Sequence, residues 1–217
     1  MFTKYGYNTL GIVAVIVFVM IVLSLFINNN ILKYVLMIAG IILLIFSLNF
    51  FRDPDRNSPA AENIIVSPAD GKVLIIKEVL PDNFIEEESW QVSIFMSPLD
   101  VHVNRIPIDG VVKYVNYVKG EYLVAYHDKA DKRNERNEIG IESEYGKVFF
   151  TQVAGKVARR IVSSLEEGDT VKMGERFGMI KFGSRVDVIV PKKWKLKIKE
   201  NERVKAGETI LYELPKE

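Results

Sequence analysis

The chain has 217 residues, no cysteine, two histidines (His102 and His127), and 29 Lys+Arg against 28 Asp+Glu, for a formal net charge of +1. Without cysteine there are no disulfides, no thiolate catalysis and no cysteine-ligated zinc or iron–sulfur site, and near-neutrality leaves no electrostatic footprint for nucleic acid. Two histidines are too few for a His-rich centre, so no metal is expected and covalent chemistry falls to Ser, Thr, Lys or a carboxylate.

Charge is unevenly distributed. Residues 1–51 hold no Asp or Glu and only Lys4 and Lys33. Leu10–Ile27 is broken only by Gly11 and Ser24, Asn28-Asn29-Asn30 follows, and Ile31–Phe51 is apolar apart from Lys33, Ser47 and Asn49. About 20 apolar residues suffice to cross a bilayer's hydrocarbon core as a helix, so a transmembrane hairpin is predicted over 1–51, with spans at about 10–27 and 31–50. A cleaved signal peptide fits less well, because no small-residue cleavage site follows and a second span comes directly after. Lys4, Arg52 and Arg56 flank the hairpin against Lys33 at its turn, which by the positive-inside rule puts both ends, and the domain at 52–217, on the cytoplasmic side of the cell membrane. Neither span carries an internal acid or histidine, as a proton relay would need. The hairpin is therefore read as an anchor.

After Glu62 the pattern changes to short β-branched or alternating runs bounded by turn residues: Ile64–Val66, Gly71–Ile76, Trp90–Met96, Gly110–Val118, Gly146–Val153 and Val186–Val190. Gly155–Ser164 is the best helical candidate in this region. Two internal echoes predict a duplicated, mainly β domain of hybrid-barrel or sandwich type. Pro68-Ala69-Asp70-Gly71-Lys72-Val73 returns as Pro107-Ile108-Asp109-Gly110-Val111-Val112, and Glu167–Glu175 returns as Glu200–Glu208 with Lys-x-Gly-Glu at the end of each. The second echo resembles the turns of lipoyl- and biotinyl-type domains, which carry a modified lysine at a hairpin tip. No Met-Lys-Met tip is present here, so a membrane-anchored carrier without catalysis stands as the alternative function.

Phe182-Gly183-Ser184-Arg185-Val186-Asp187 lies between two strand-like runs, Phe177–Phe182 and Val186–Val190. A bare Gly-Ser pair is usually a turn. In this setting Gly183, lacking a Cβ, leaves its carbonyl open to attack by the Ser184 hydroxyl. His102, in Val101-His102-Val103, is either a barrel-wall histidine or a general acid–base group titrating near neutrality. Asp70, in a Pro-x-Asp-Gly turn, reads by itself as a turn aspartate. His127 lies in a polar stretch, a surface loop or part of a lid. Arg159-Arg160 and the Lys192–Lys199 alternation are solvated faces or attractors of anionic headgroups.

Taken together, Phe182-Gly183-Ser184-Arg185-Val186-Asp187-Val188 through Pro191, Phe51-Arg52-Asp53-Pro54, Ser67–Val73, Phe95–Arg105, Asn134-Glu135-Arg136-Asn137, and Gln152-Val153-Ala154-Gly155 with Ala158-Arg159-Arg160-Ile161 resemble the phosphatidylserine decarboxylase family of the short archaeal and bacterial type. The resemblance implies self-cleavage between Gly183 and Ser184 into chains 1–183 and 184–217 that stay together as a heterodimer, with Ser184 converted to a pyruvoyl group as the only cofactor. That group would form a Schiff base with the amine of a serine phospholipid, phosphatidylserine or archaetidylserine, and CO₂ would leave. It further implies catalytic roles for His102 and Asp70, and substrate contacts from Asn104, Arg105 and Arg185. The long-type relatives have a second histidine where Arg105 stands, and a guanidinium cannot act as a neutral base. Homo-oligomerisation is left open.

Overall fold

The computed structural model describes residues 1–80, 84–121, 133–155, 160–181 and 184–215. His127, Arg159 and Gly183 lie outside them. The apolar N-terminal stretch forms helices α1 (Tyr7–Leu25) and α2 (Asn30–Phe50), each long and apolar enough to cross a membrane. Large side chains such as Ile12, Phe18, Leu25, Ile31 and Ile42 are exposed along both, as helices facing lipid tails require. The Asn triplet does what its chemistry favours: Asn29 caps α2 by accepting a hydrogen bond from Leu32 N at 3.2 Å. Thr3 N donates to Phe51 O and Asp53 N to Met1 O, so the two ends of the hairpin are tied together. The compact units divide between Asp55 and Arg56, four residues beyond the sequence boundary. Arg56 belongs with the second unit because it pairs with Asp70 and Glu208.

That second unit is mainly β, as the alternating runs predict. Its strands are β1 (Ile64–Val66), β2 (Gly71–Val79), β3 (Ser89–Met96), β4 (Val103–Arg105), β5 (Gly110–Val118), β6 (Arg136–Ser143) and β7 (Gly146–Val153). They continue with β8 (Arg160–Ser163), β9 (Thr170–Val171), β10 (Arg176–Lys181), β11 (Ser184–Pro191), β12 (Lys195–Leu196), β13 (Arg203–Val204) and β14 (Ile210–Glu213). Where Gly155–Ser164 suggested a helix, residues 160–163 are strand. Ile161 and Val162 are β-branched, and the whole of β8 pairs with β10.

The eight-stranded sheet runs β13-β2-β3-β11-β7-β6-β5-β9, and two three-stranded sheets run β1-β14-β12 and β4-β10-β8. Each order maps onto its own reverse or onto the other sheet when β1–β3 and β11–β14 exchange with β4–β10. The duplication expected from the echoes is therefore structural, and it extends to single hydrogen bonds. Asp70 Oδ1 accepts from Ala206 N at 2.8 Å, and Asp109 Oδ1 accepts from Met173 N at 2.6 Å. Gly207 N donates to Ser67 O and Gly174 N to Ile106 O, both at 2.8 Å. Glu200 caps Ile76 N as Glu167 caps Val115 N. The β2–β3 ladder slips between Val73 and Ile75, and the β5–β6 ladder between Val112 and Tyr114. Gly174 and Gly207 close the Lys-x-Gly-Glu turns with φ of 83° and 74°, a conformation that side chains with a Cβ resist.

One half, β4–β10, is continuous in the chain; the other is interrupted. In the continuous half β6 turns directly into β7, Ser143 pairing with Gly146. Its counterpart, the passage from β3 to β11, is broken by residues 97–183, which contain the whole continuous half. Met96 pairs with Ser184 there. Ser184 thus occupies the position of Gly146, where the continuous half enters its matching strand.

Because Asp109 is a turn anchor, Asp109→Ala should lower the stability of the full chain by about 1–2 kcal/mol through the orphaned Met173 N–H, with Asp109→Asn closer to wild type. Thermal unfolding of the three chains side by side checks this.

Candidate active site

Val186, Val188 and Val190 of β11 point into the core, and strand alternation puts Ser184 on that same face. Ser184 is completely buried, and its hydroxyl donates to Met96 Sδ at 3.3 Å. A thioether is a weak acceptor. Among the described residues the hydroxyl thus has only this weak acceptor.

Beside it runs a line of neutral amides. Asn104 Nδ2 lies 3.9 Å from Met96 Sδ and 3.4 Å from Pro68 O; Gln152 Nε2 donates to Asn104 Oδ1 at 2.9 Å; Asn137 Nδ2 donates to Gln152 Oε1 at 3.2 Å. All three amides are buried, Asn104 and Gln152 fully. Three strands supply them: β4, β7 and β6. Gln152 fits because Gly178 of β10 faces it, a Cβ there coming within 3.2 Å of Gln152 Nε2. Such groups can hold a carbonyl oxygen by donating to it, while adding no charge to the site. Among the described residues no three His, Asp or Glu side chains cluster as metal ligands would.

His102 is fully buried immediately before β4. Its Nδ1 lies 2.9 Å from Asp100 O. A carbonyl can only accept, so Nδ1 carries the proton in the neutral ring and Nε2 carries the lone pair. The Asp100 carboxylate holds this turn by accepting from Ser97 N and Arg203. Burial pushes its pKa up, but the hydrogen bonds from Ser97 and Arg203 outweigh that and leave it below the ordinary 3.8. A depressed carboxyl pKa stabilises the fold above the unfolded-state value, and the contribution is lost as pH falls through the folded one. The turn under His102 is therefore secure at neutral pH.

The duplication links His102 to Ser184. Under the exchange of halves Asn63, immediately before β1, takes the place of His102, and Gly146, at the start of β7, takes the place of Ser184. Asn63 and Tyr145, the residue before Gly146, both line one cavity of about 790 Å³, together with Lys193, Leu214 and Pro215.

Of the remaining candidates, Asp70 is held between Ala206 N and the Arg56 guanidinium, the latter at 2.8 Å. Its first bond is the one Asp109 repeats, so the turn reading accounts for that part, and the ion pair is what distinguishes Asp70. Arg105 lies on the side of β4 opposite Asn104 and donates to Gly174 O at 2.8 Å. A Cβ at Gly207 would come within 3.0 Å of its Cδ, so it packs between the two duplicated turns. Arg185, next to Ser184 along an extended strand, faces the other side of the sheet and pairs with Asp187 at 2.8 Å, both buried. The structure thus brings Ser184, Met96, Asn104, Gln152 and Asn137 together, and directs Arg105 and Arg185 elsewhere. Met96, Gln152 and Asn137 carried no assignment from sequence. The available signal was a polar residue in phase with inward-facing neighbours, as Gln152 is with Val148 and Phe150.

The domain is mainly β, buries a serine at the start of a strand against Met96 with neutral amides adjoining, and follows two apolar helices. The chain matches the phosphatidylserine decarboxylase family model over residues 43–212. It is 45% identical over 211 residues to a phosphatidylserine decarboxylase proenzyme of Chlorobium limicola, covering 97% of this chain and 99% of that one. It is 51% identical over 175 residues to the proenzyme of Salinibacter ruber, covering 79% and 77%, and 43% identical over 215 residues to that of Prosthecochloris aestuarii, covering 99% and 98%. This chain belongs to the phosphatidylserine decarboxylase family.

Gln152→Leu should orphan the Asn104 carbonyl and the Asn137 amide, costing about 2 kcal/mol of stability as buried polar groups lose their partners. Gln152→Glu, of the same length, should cost at least as much, because it buries a charge. Chemical denaturation of both against wild type gives the comparison.

Proposed function

We propose that this protein removes the carboxylate of phosphatidylserine's serine headgroup as CO₂, leaving the ethanolamine lipid, and that it does so with a pyruvoyl group made from its own Ser184. The observation that carries the reading is Ser184: buried, weakly hydrogen-bonded and at the first position of β11, in a chain whose relatives are named as proenzymes.

In the maturation step, Ser184 Oγ adds to the Gly183 carbonyl carbon. The Gly183–Ser184 C–N bond breaks as the C–O bond forms, giving an ester. Loss of the Ser184 α-proton and departure of the Gly183 carboxylate leave dehydroalanine at position 184, which water converts to a ketone with release of ammonia. The buried amides of Asn104 and Gln152 suit a carbonyl oxygen at this point. The ketone supplies an electron sink for the pair left when the substrate's Cα–carboxylate bond breaks. The remaining work belongs to side chains. His102, with Nδ1–H directed at the Asp100 carbonyl, offers Nε2 to take up a proton and return it to the substrate α-carbon. Asp70 is placed with Arg56 as a support of the loop whose Pro68 carbonyl contacts Asn104, a positioning role.

Chains 1–183 and 184–217 stay together on this reading, since β11 lies between β3 and β7 and keeps both ladders after the backbone is cut. The apolar helices hold the domain at the bilayer, which raises its effective concentration for a lipid substrate, and the flanking Lys4, Arg52 and Arg56 favour the cytoplasmic face. The chemistry involves only the headgroup, so an ether-linked archaetidylserine suits it as well as an acyl ester.

Denaturing electrophoresis of wild type should show chain 1–183 and a fragment of 34 residues whose mass is lower by one ammonia than that of the serine-started peptide. Ser184→Ala should give only the intact chain and release no CO₂. Wild-type protein found only at full mass would sink the proposal. His102→Gln should lower kcat for CO₂ release by about 10²–10⁴-fold, the usual weight of a general acid–base group, with KM nearly retained. Assay of material that has already been processed separates this from any effect on maturation.

A further inference from the structure

The cavity at Asn63 and Tyr145 also predicts which cations meet the substrate. Glu213 of β14 pairs with Ile64 and Lys195, just as Met179 of β10 pairs with Val103 and Val162. Counting from these matched pairs, Pro215 corresponds to Lys181 and Lys193 to Arg160. Pro215 and Lys193 both line the cavity. Lys193 Nζ would come within 2.9 Å of a Cβ placed at Gly146, and Gly146 is the counterpart of Ser184. By the same exchange Arg160 and Lys181, two cations, take the places that Lys193 and Pro215 hold at the counterpart site, and Lys181 stands three residues before Ser184.

These two are direct cross-strand partners in the β10–β8 ladder. Like charges facing each other across a ladder destabilise it. Lys181 is half-buried, and burial together with the neighbouring Arg160 charge lowers its ammonium pKa. Among the described residues no carboxylate is paired with Arg160. An anion between the two side chains removes the repulsion, and an arginine beside a lysine suits a phosphate oxyanion. The other half, where Pro215 replaces the lysine, lacks such a pair.

We infer that Arg160 and Lys181 bind the phosphodiester of the serine phospholipid, fixing the headgroup so that its amine reaches position 184. Only a short chain of bonds separates that amine from phosphorus, so a phosphate site on the wall beside Ser184 sets the reach of the amine. Specificity for a phospholipid over free serine then resides in this pair. The inference rests on the decarboxylase reading above and adds the residues that select its substrate.

The test uses full-length, processed protein in neutral-detergent mixed micelles, as wild type, Lys181→Gln, Arg160→Gln and Lys181→Arg. Each glutamine variant should still release the small chain, and should raise KM for phosphatidylserine about 10- to 100-fold, the range for losing one charge-assisted contact, with kcat little changed. Lys181→Arg should restore most of the affinity. Direct binding gives a second readout. Phosphorus NMR line broadening should report binding of glycerophosphoethanolamine to wild type, weakened by the same factor in the glutamine variants, whereas free ethanolamine should compete equally well in all four. If Lys181→Gln does not mature, Arg160→Gln, an exposed side chain, carries the test alone. Unchanged KM and unchanged glycerophosphoethanolamine binding would overturn the inference, as would equal weakening of ethanolamine. Processed wild type that leaves phosphatidylserine intact would instead remove the decarboxylase reading beneath it.

Discussion

Strand β11 is hydrogen-bonded along both edges, to β3 from Ser184–Met96 to Pro191–Ser89 and to β7 from Arg185–Val153 to Ile189–Phe149. The two halves of the domain meet along the second of these ladders. Valines on its inner face enter the core, and on its outer face the buried Arg185–Asp187 pair locks the residue next to Ser184. Removing one member of a buried ion pair commonly costs about 3–5 kcal/mol because the other charge is stranded. A strand secured on both edges and both faces keeps its first residue in place whether or not that residue is still bonded to Gly183.

Duplication gives the site its logic. One half closes β6 to β7 with a short turn at Gly146, and the other opens the same connection to admit a long insertion ending at Ser184. Asn63 and Gly146 stand where the other arrangement has His102 and Ser184. The two halves share a scaffold of turn aspartates, Gly-Glu turns and ladder slips, and they differ in a few side chains at one end of the sheet. The candidate site draws on both copies, Ser184 and Met96 from the interrupted half and His102, Asn104, Asn137 and Gln152 from the continuous one.

Much of this is legible in the sequence. The six alternating runs are strands because β-branched residues at period two need little tertiary help to declare themselves, and the Asp-Gly and Lys-x-Gly-Glu echoes announce the repeat. Strand β6 is harder to read: Arg136-Asn137-Glu138-Ile139-Gly140-Ile141-Glu142 mixes charges with inward Ile139 and Ile141, and its Asn137 is inward only because Gln152 receives it. Residues 160–163 mislead because their β-branched content is short and follows a helix-compatible segment. Ser184, His102 and Asn104 are marked by motif. The directions of Arg105 and Arg185 are not, since they depend on which face of a strand lies inward and on partners more than sixty residues away or hidden in the same strand. Arg160 and Lys181 are invisible as a pair until register sets them opposite each other.

The order in which the chain leaves the ribosome gives the insertion a further meaning. Strands β11 to β14 follow the continuous half, and they supply the centre of the large sheet, two strands of one small sheet and the outermost strand beside β2. Until they exist, Ser184 has neither Met96 opposite it nor a wall of amides beside it. The surroundings of the Ser184 hydroxyl are thus assembled by the same segment whose docking completes the fold. A chain cut early would shed its small piece, because nothing would yet hold it. On the proposed reading, scission before Ser184 waits for the docking of β11 to β14, which also captures the fragment.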